Sequence, residues 1–82
     1  MLKDQTVREI SDNRGDVIGY DQYGNIVKIL YTSGAKEFNY YTDDGKYIIR
    51  TEFISEKGYR EIENFNVSHY YEEEKLQDSS MG

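Results

Sequence analysis

The chain has 82 residues, no cysteine, no proline, nine tyrosines and a formal net charge of −6. That length suffices for one small domain and leaves no room for a second. The absence of cysteine excludes disulfide staples and thiolate metal sites, and the acidic balance disfavours direct contact with nucleic-acid phosphates, which calls for Lys and Arg.

The charge is unevenly placed. Residues 1–60 hold ten acids and nine bases, whereas residues 61–82 hold six acids and one base. Nearly all of the excess negative charge therefore lies in the last quarter. Hydrophobic residues make up 37% of the chain, a meagre supply for a core, and tyrosine covers much of the shortfall because its ring packs while its hydroxyl stays wet. No apolar run approaches the roughly 18 residues of a membrane span, and the opening MLKDQTVREI lacks the apolar core of a signal peptide. The expectation is a soluble, cytoplasmic protein that does not touch membranes.

In chain order, the first strand candidates are the short TVREI and VIGYD segments. Three longer ones alternate with period two. In IVKILYT, Val27, Ile29 and Tyr31 share a side; in KEFNYYT, Phe38 and Tyr40 oppose Glu37 and Asn39; in KYIIRTEFI, Tyr47, Ile49 and Phe53 oppose Lys46, Arg50 and Glu52. YREIENFNV is the last candidate. Between these segments stand turn signals containing Gly15, Gly24, Gly34, Gly45 and Gly58, spaced 9, 10, 11 and 13 residues apart. That is the spacing of short strands joined by tight turns, in which glycine supplies the positive φ. A turn is expected to account for each glycine.

The sequence therefore predicts an all-β fold: one antiparallel meander of five to six strands over residues 1–67, with one apolar and one polar face. A sheet greasy on one side cannot stand alone in water, so it must curl into a half-barrel, dimerise or dock. Residues 68–82 are expected to form an acidic C-terminal segment, either a tail or a short helix with Ser68 as its N-cap and glutamates in its first turn.

The run YDQYGNIVKILYTSGAKEFNYYTDDGKYIIRTEF, residues 20–53, resembles the tyrosine–aspartate repeat of RHS-type proteins. The resemblance rests on Tyr20-Asp21, Gly24-Asn25, Gly34 and the second unit at Tyr41, Asp43, Asp44 and Gly45, where Thr42 separates the tyrosine from the aspartate. It implies a β-sheet of hairpins and covers under half of the chain. By composition, the chain also resembles small acidic phage-encoded inhibitors, among them anti-CRISPR proteins and nucleic-acid mimics.

Candidate chemistry is sparse. The only histidine is His69; a triad with Ser68 or a metal site with Glu72 and Glu73 would need geometry that adjacency alone does not create. No phosphate-binding glycine motif is present, and DNRGD at residues 12–16 lacks the distant bidentate glutamate of a calcium loop. Neither cofactor nor metal is expected, and the chain reads as a non-enzyme.

What remains is recognition of a protein. Glu61 and Glu63 alternate on one side of a strand, about 7 Å apart, which is the order of spacing at which successive phosphates present charge. Glu72, Glu73, Glu74 and Asp78 extend the acidic surface, and Tyr59, Tyr70 and Tyr71 offer aromatic anchors. A basic, nucleic-acid-handling groove would meet this surface through long-range attraction. The expected function is a non-catalytic inhibitor of such a protein, encoded by a phage or mobile element. The alternative is a structural module that self-associates, for example as a homodimer, through its apolar face or an edge strand.

Overall fold

A computed structural model describes residues 3–66. Six strands follow one another: β1 (Arg8–Ser11), β2 (Val17–Tyr20), β3 (Ile26–Leu30), β4 (Lys36–Tyr41), β5 (Ile48–Ile54) and β6 (Arg60–Asn64). Each pairs antiparallel with the next, in the order β1-β2-β3-β4-β5-β6. The all-β meander expected from the turn spacing is present. The sheet is open, with β1 and β6 as its two edges. The acidic segment 68–82 lies outside the described residues.

The hairpins share one chemistry. In four of the five loops the first residue donates its N–H to the carbonyl four positions on, as in Asp12 to Asp16, Asp21 to Asn25, Tyr31 to Ala35 and Ser55 to Tyr59. In all five loops the glycine N–H donates back to the first residue's carbonyl. Gly15, Gly24, Gly34, Gly45 and Gly58 all have φ between 72° and 98°, the left-handed region that closes such loops at little steric cost to glycine. The first residue's side chain often adds a clamp. Asp21 Oδ1 accepts from the amides of both Tyr23 and Asn25 at 2.9 Å, and Asp12 Oδ1 does the same for Arg14 and Asp16.

The two expected faces are not separated as the alternation suggested. Cross-strand partners place Glu9, Gly19, Lys28, Phe38, Glu52 and Ile62 in one row. The neighbouring row, pointing to the other face, is Ile10, Ile18, Ile29, Glu37, Phe53 and Glu61. Both faces interleave apolar and charged side chains. Alternation within a strand fixes which residues share a side, but loop length decides which side of the neighbouring strand they join. The β3–β4 loop pairs Leu30 with Lys36 and so sets Ile29 beside Glu37.

A single layer built this way has little core. Val27 and Ala35 are the only buried hydrophobic residues among those described. Other contacts substitute for a core. Turns at each end of the sheet stack on one another: buried Asp16 accepts from the Thr32 amide at 2.8 Å, Asn25 Nδ2 donates to the Gly45 carbonyl at 2.8 Å, and the Tyr23 hydroxyl donates to the Asp43 carbonyl at 2.8 Å.

Residues 3–7 form a strap that crosses one face ahead of β1. Its Thr6 sits over Gly19, where an added Cβ would lie 2.9 Å from the Thr6 methyl. Gly19 is inside β2, so the expectation that a turn accounts for each glycine fails here. This glycine is needed for close approach of the strap.

Candidate functional site

The described part of the predicted binding surface is β6 with Tyr59. Register places Glu61 beside Phe53 and Glu63 beside Thr51, so both carboxylates point to one face, as the alternation predicted. Together with Ile62, these residues line a shallow hollow of about 360 Å³. Every residue of β6 is exposed, and Tyr59 is 74% exposed. Among the described residues neither Glu61 nor Glu63 forms an ion pair; the neighbouring Arg60 is taken by Glu52, with Nε 3.1 Å from Oε1. Tyr70, Tyr71, Glu72, Glu73, Glu74 and Asp78 lie outside the described residues, so the structure joins only Tyr59, Glu61 and Glu63 into one surface.

Three of the cationic side chains that a nucleic-acid surface could use are engaged within the sheet. Lys28 Nζ donates to Glu9 Oε1 at 2.6 Å and lies 3.9 Å from Asp4 Oδ2. The hydrogen bond to Glu9 holds the Lys28 ammonium above its ordinary range. Arg50 Nε donates to Asn64 Oδ1 at 2.8 Å, and the Arg8 guanidinium lies over the Tyr20 ring at 5.3 Å.

A larger cleft of about 720 Å³ opens between the strap and the loops that follow β2 and β4. Its walls include Asp4, Asp21, Tyr23, Tyr40, Tyr41 and Asp43. The chain's own backbone and side chains occupy two of these carboxylates. Asp21 holds the amides of its loop and, through Oδ2, the Asn25 amide nitrogen at 3.1 Å. Asp4 accepts from the Thr6 hydroxyl and amide, and the hydroxyl bond is the main reason its carboxyl falls below the usual range. Asp44 is lowered in the same way by Thr42 and the Lys46 amide. Carboxyls shifted downward are poor proton donors at neutral pH. No group of three or more potential ligand side chains is placed to hold a metal ion among the described residues, and no described helix is long and apolar enough to cross a membrane.

The opposite edge was not singled out in the sequence. β1 is exposed along its whole length, and Val7 and Ile10 are among the exposed large hydrophobic residues. A signal for it existed in the repeated tripeptide Arg-Glu-Ile at residues 8–10 and 60–62, each preceded by an apolar or aromatic residue, Val7 or Tyr59. Comparison with family models, with curated proteins and with solved structures gives no match.

Proposed function

We propose that this protein is a non-catalytic protein-binding module whose contacts run through the open edges of its sheet. One observation carries the reading: β1 and β6 are exposed at every position. A strand edge with free N–H and C=O groups is a template for another chain.

The first occupant we propose for β6 is a basic, nucleic-acid-handling protein. Glu61 and Glu63 support it, since they share a face and no cation among the described residues pairs with either. In this role the protein would inhibit by filling a groove that otherwise holds phosphates, as a phage-encoded anti-defence or anti-CRISPR-like protein would. Elution from immobilised polylysine along a salt gradient tests the surface. Glu61→Lys should elute at clearly lower salt than Glu56→Lys, which makes the same charge change in the β5–β6 loop. Equal elution of the two removes this occupant.

The second occupant is another copy of this chain, making the protein a self-associating β-module. The specific observation is strand polarity. With six strands in a meander, β6 and β1 run in opposite directions, so a second molecule placed beside the first continues the antiparallel ladder.

A further inference from the structure

We infer that copies of this chain associate head to tail, the β1 edge of one molecule pairing with the β6 edge of the next in a single register that sets Arg8 opposite Glu61 and Glu9 opposite Arg60. The inference rests on the self-association reading and adds the surface and the register.

Three constraints select it. The first is which backbone groups are free. In β1 the Asp12 amide bonds inward to Asp16, so alternate amides face β2 and those of Glu9 and Ser11 face out. In β6 the Tyr59 carbonyl and the Phe65 amide bond inward, which leaves Arg60, Ile62 and Asn64 facing out. Glu9 of one copy can therefore form a hydrogen-bonded pair with Arg60, Ile62 or Asn64 of another.

The second constraint is facing. Residues directly opposite in a sheet share a side. The traced rows put Glu9 and Ile62 on one face, so Arg60 joins them, while Arg8, Ile10 and Glu61 point to the other. All three candidate registers satisfy this rule.

The third constraint, charge and apolar matching, separates them. With Glu9 opposite Arg60, Arg8 meets Glu61 and Ile10 meets Tyr59. Every one of these pairs is complementary. Glu9 opposite Ile62 instead sets Ile10 against Glu61, and Glu9 opposite Asn64 sets Asp12 against Glu61. The matching arises because Val7-Arg8-Glu9-Ile10 and Tyr59-Arg60-Glu61-Ile62 carry the same pattern, and that pattern is its own complement when read antiparallel. Two copies of β6 fare worse. A two-fold axis normal to the sheet pairs residues of equal parity, which brings Glu61 against itself or Glu63, or Arg60 against itself. The favoured contact joins different surfaces and does not close, so it builds an extended sheet. On one face it would also line up Lys28, Glu9, Arg60 of the neighbour and the neighbour's own Glu52, extending two ion pairs already present.

The experiment is sedimentation velocity of the full chain over a concentration series, with Arg8→Glu, Glu61→Arg and their equimolar mixture. The wild type should grow beyond a dimer with concentration. Each variant alone should stay monomeric, because Glu meets Glu or Arg meets Arg across the contact. The mixture should regain growth, since every contact then joins opposite charges. Tyr59→Glu, altering a side chain that is 74% exposed, should also abolish growth and covers the case in which Arg8→Glu disturbs its own sheet. A wild type that stays monomeric at millimolar concentration removes the self-association reading altogether. A wild type that grows while the variants grow equally, or a mixture that fails to recover, keeps that reading and overturns the register.

Discussion

The side-chain amide of Gln5 takes both backbone hydrogen bonds of Tyr41, 36 positions away in the chain: Nε2 donates to the Tyr41 carbonyl and Oε1 accepts from its amide, each at 3.0 Å. Tyr41 lies beyond the last β3–β4 pair, Lys28 with Phe38, so a side chain supplies what the neighbouring strand no longer reaches. Gln5→Ala leaves a half-buried amide and carbonyl without these partners. It should cost about 1–3 kcal/mol in urea unfolding, and the Tyr41 amide should exchange faster with solvent.

Gly19 holds the same strap from below. Gly19→Ala forces a Cβ against the Thr6 side chain and the Lys28 Cβ, at 2.9 Å and 3.1 Å. The backbone of β2 has no reason to yield, so the strap should lift. We expect a loss of about 1–3 kcal/mol and faster proteolysis within residues 3–7, with the cross-strand contacts of β2 and β3 unchanged by NMR.

Two loop glycines should respond unequally to the same change. Gly24 and Gly45 both have positive φ, but nothing lies near the position of an added Cβ at Gly24, whereas at Gly45 the Tyr23 ring occupies it. Gly24→Ala should cost about 1 kcal/mol for the backbone alone. Gly45→Ala should cost appreciably more and also break the Tyr23 hydroxyl bond to the Asp43 carbonyl. Denaturant midpoints of the two variants decide it; equal midpoints would contradict the stacking of these loops.

Alkaline pH should unfold the protein more readily than mild acid. Burial pushes the phenols of Tyr31, Tyr40 and Tyr41 above the ordinary value of 10.0, with nearby Glu37, Glu52 and Asp21 adding to it respectively. The bond to Glu9 raises Lys28 above 10.5. A group raised on folding contributes its full stability below its unfolded value and loses it as pH climbs through the folded one. Stability should therefore fall above about pH 10, together with the rise in phenolate absorbance. Asp4 has the opposite sign. Its lowered carboxyl supports the strap at neutral pH and stops doing so only as pH drops below 3.8, through its depressed folded value.

The meander was legible because each hairpin announces itself locally: a glycine at a left-handed position, an aspartate, serine or threonine three residues earlier in four of the five loops, and period-two segments between. That Glu61 and Glu63 share a side was legible for the same reason, since i and i+2 do so in any strand. The division into two faces was not legible. It depends on the register carried through the loops, and the Leu30–Lys36 pairing sets apolar beside charged. Gln5 and Gly19 were missed because their partners, Tyr41 and Thr6, are brought to them only by the folded sheet. The role of Arg8 and Glu9 was hidden likewise: the repeated tripeptide is visible in the sequence, but its complementarity appears only once both copies stand on open edges of opposite direction.

Hydrogen exchange of the full chain, compared at low and high protein concentration and with a basic partner added, tests most directly whether contacts run through the edges. The account predicts that the outward amides of Glu9, Ser11, Arg60 and Ile62 gain protection, while inward amides such as Asp12 and Phe65, already bonded, change little. Protection gained instead across β3 and β4, with the amides of β1 and β6 unaltered, would contradict it.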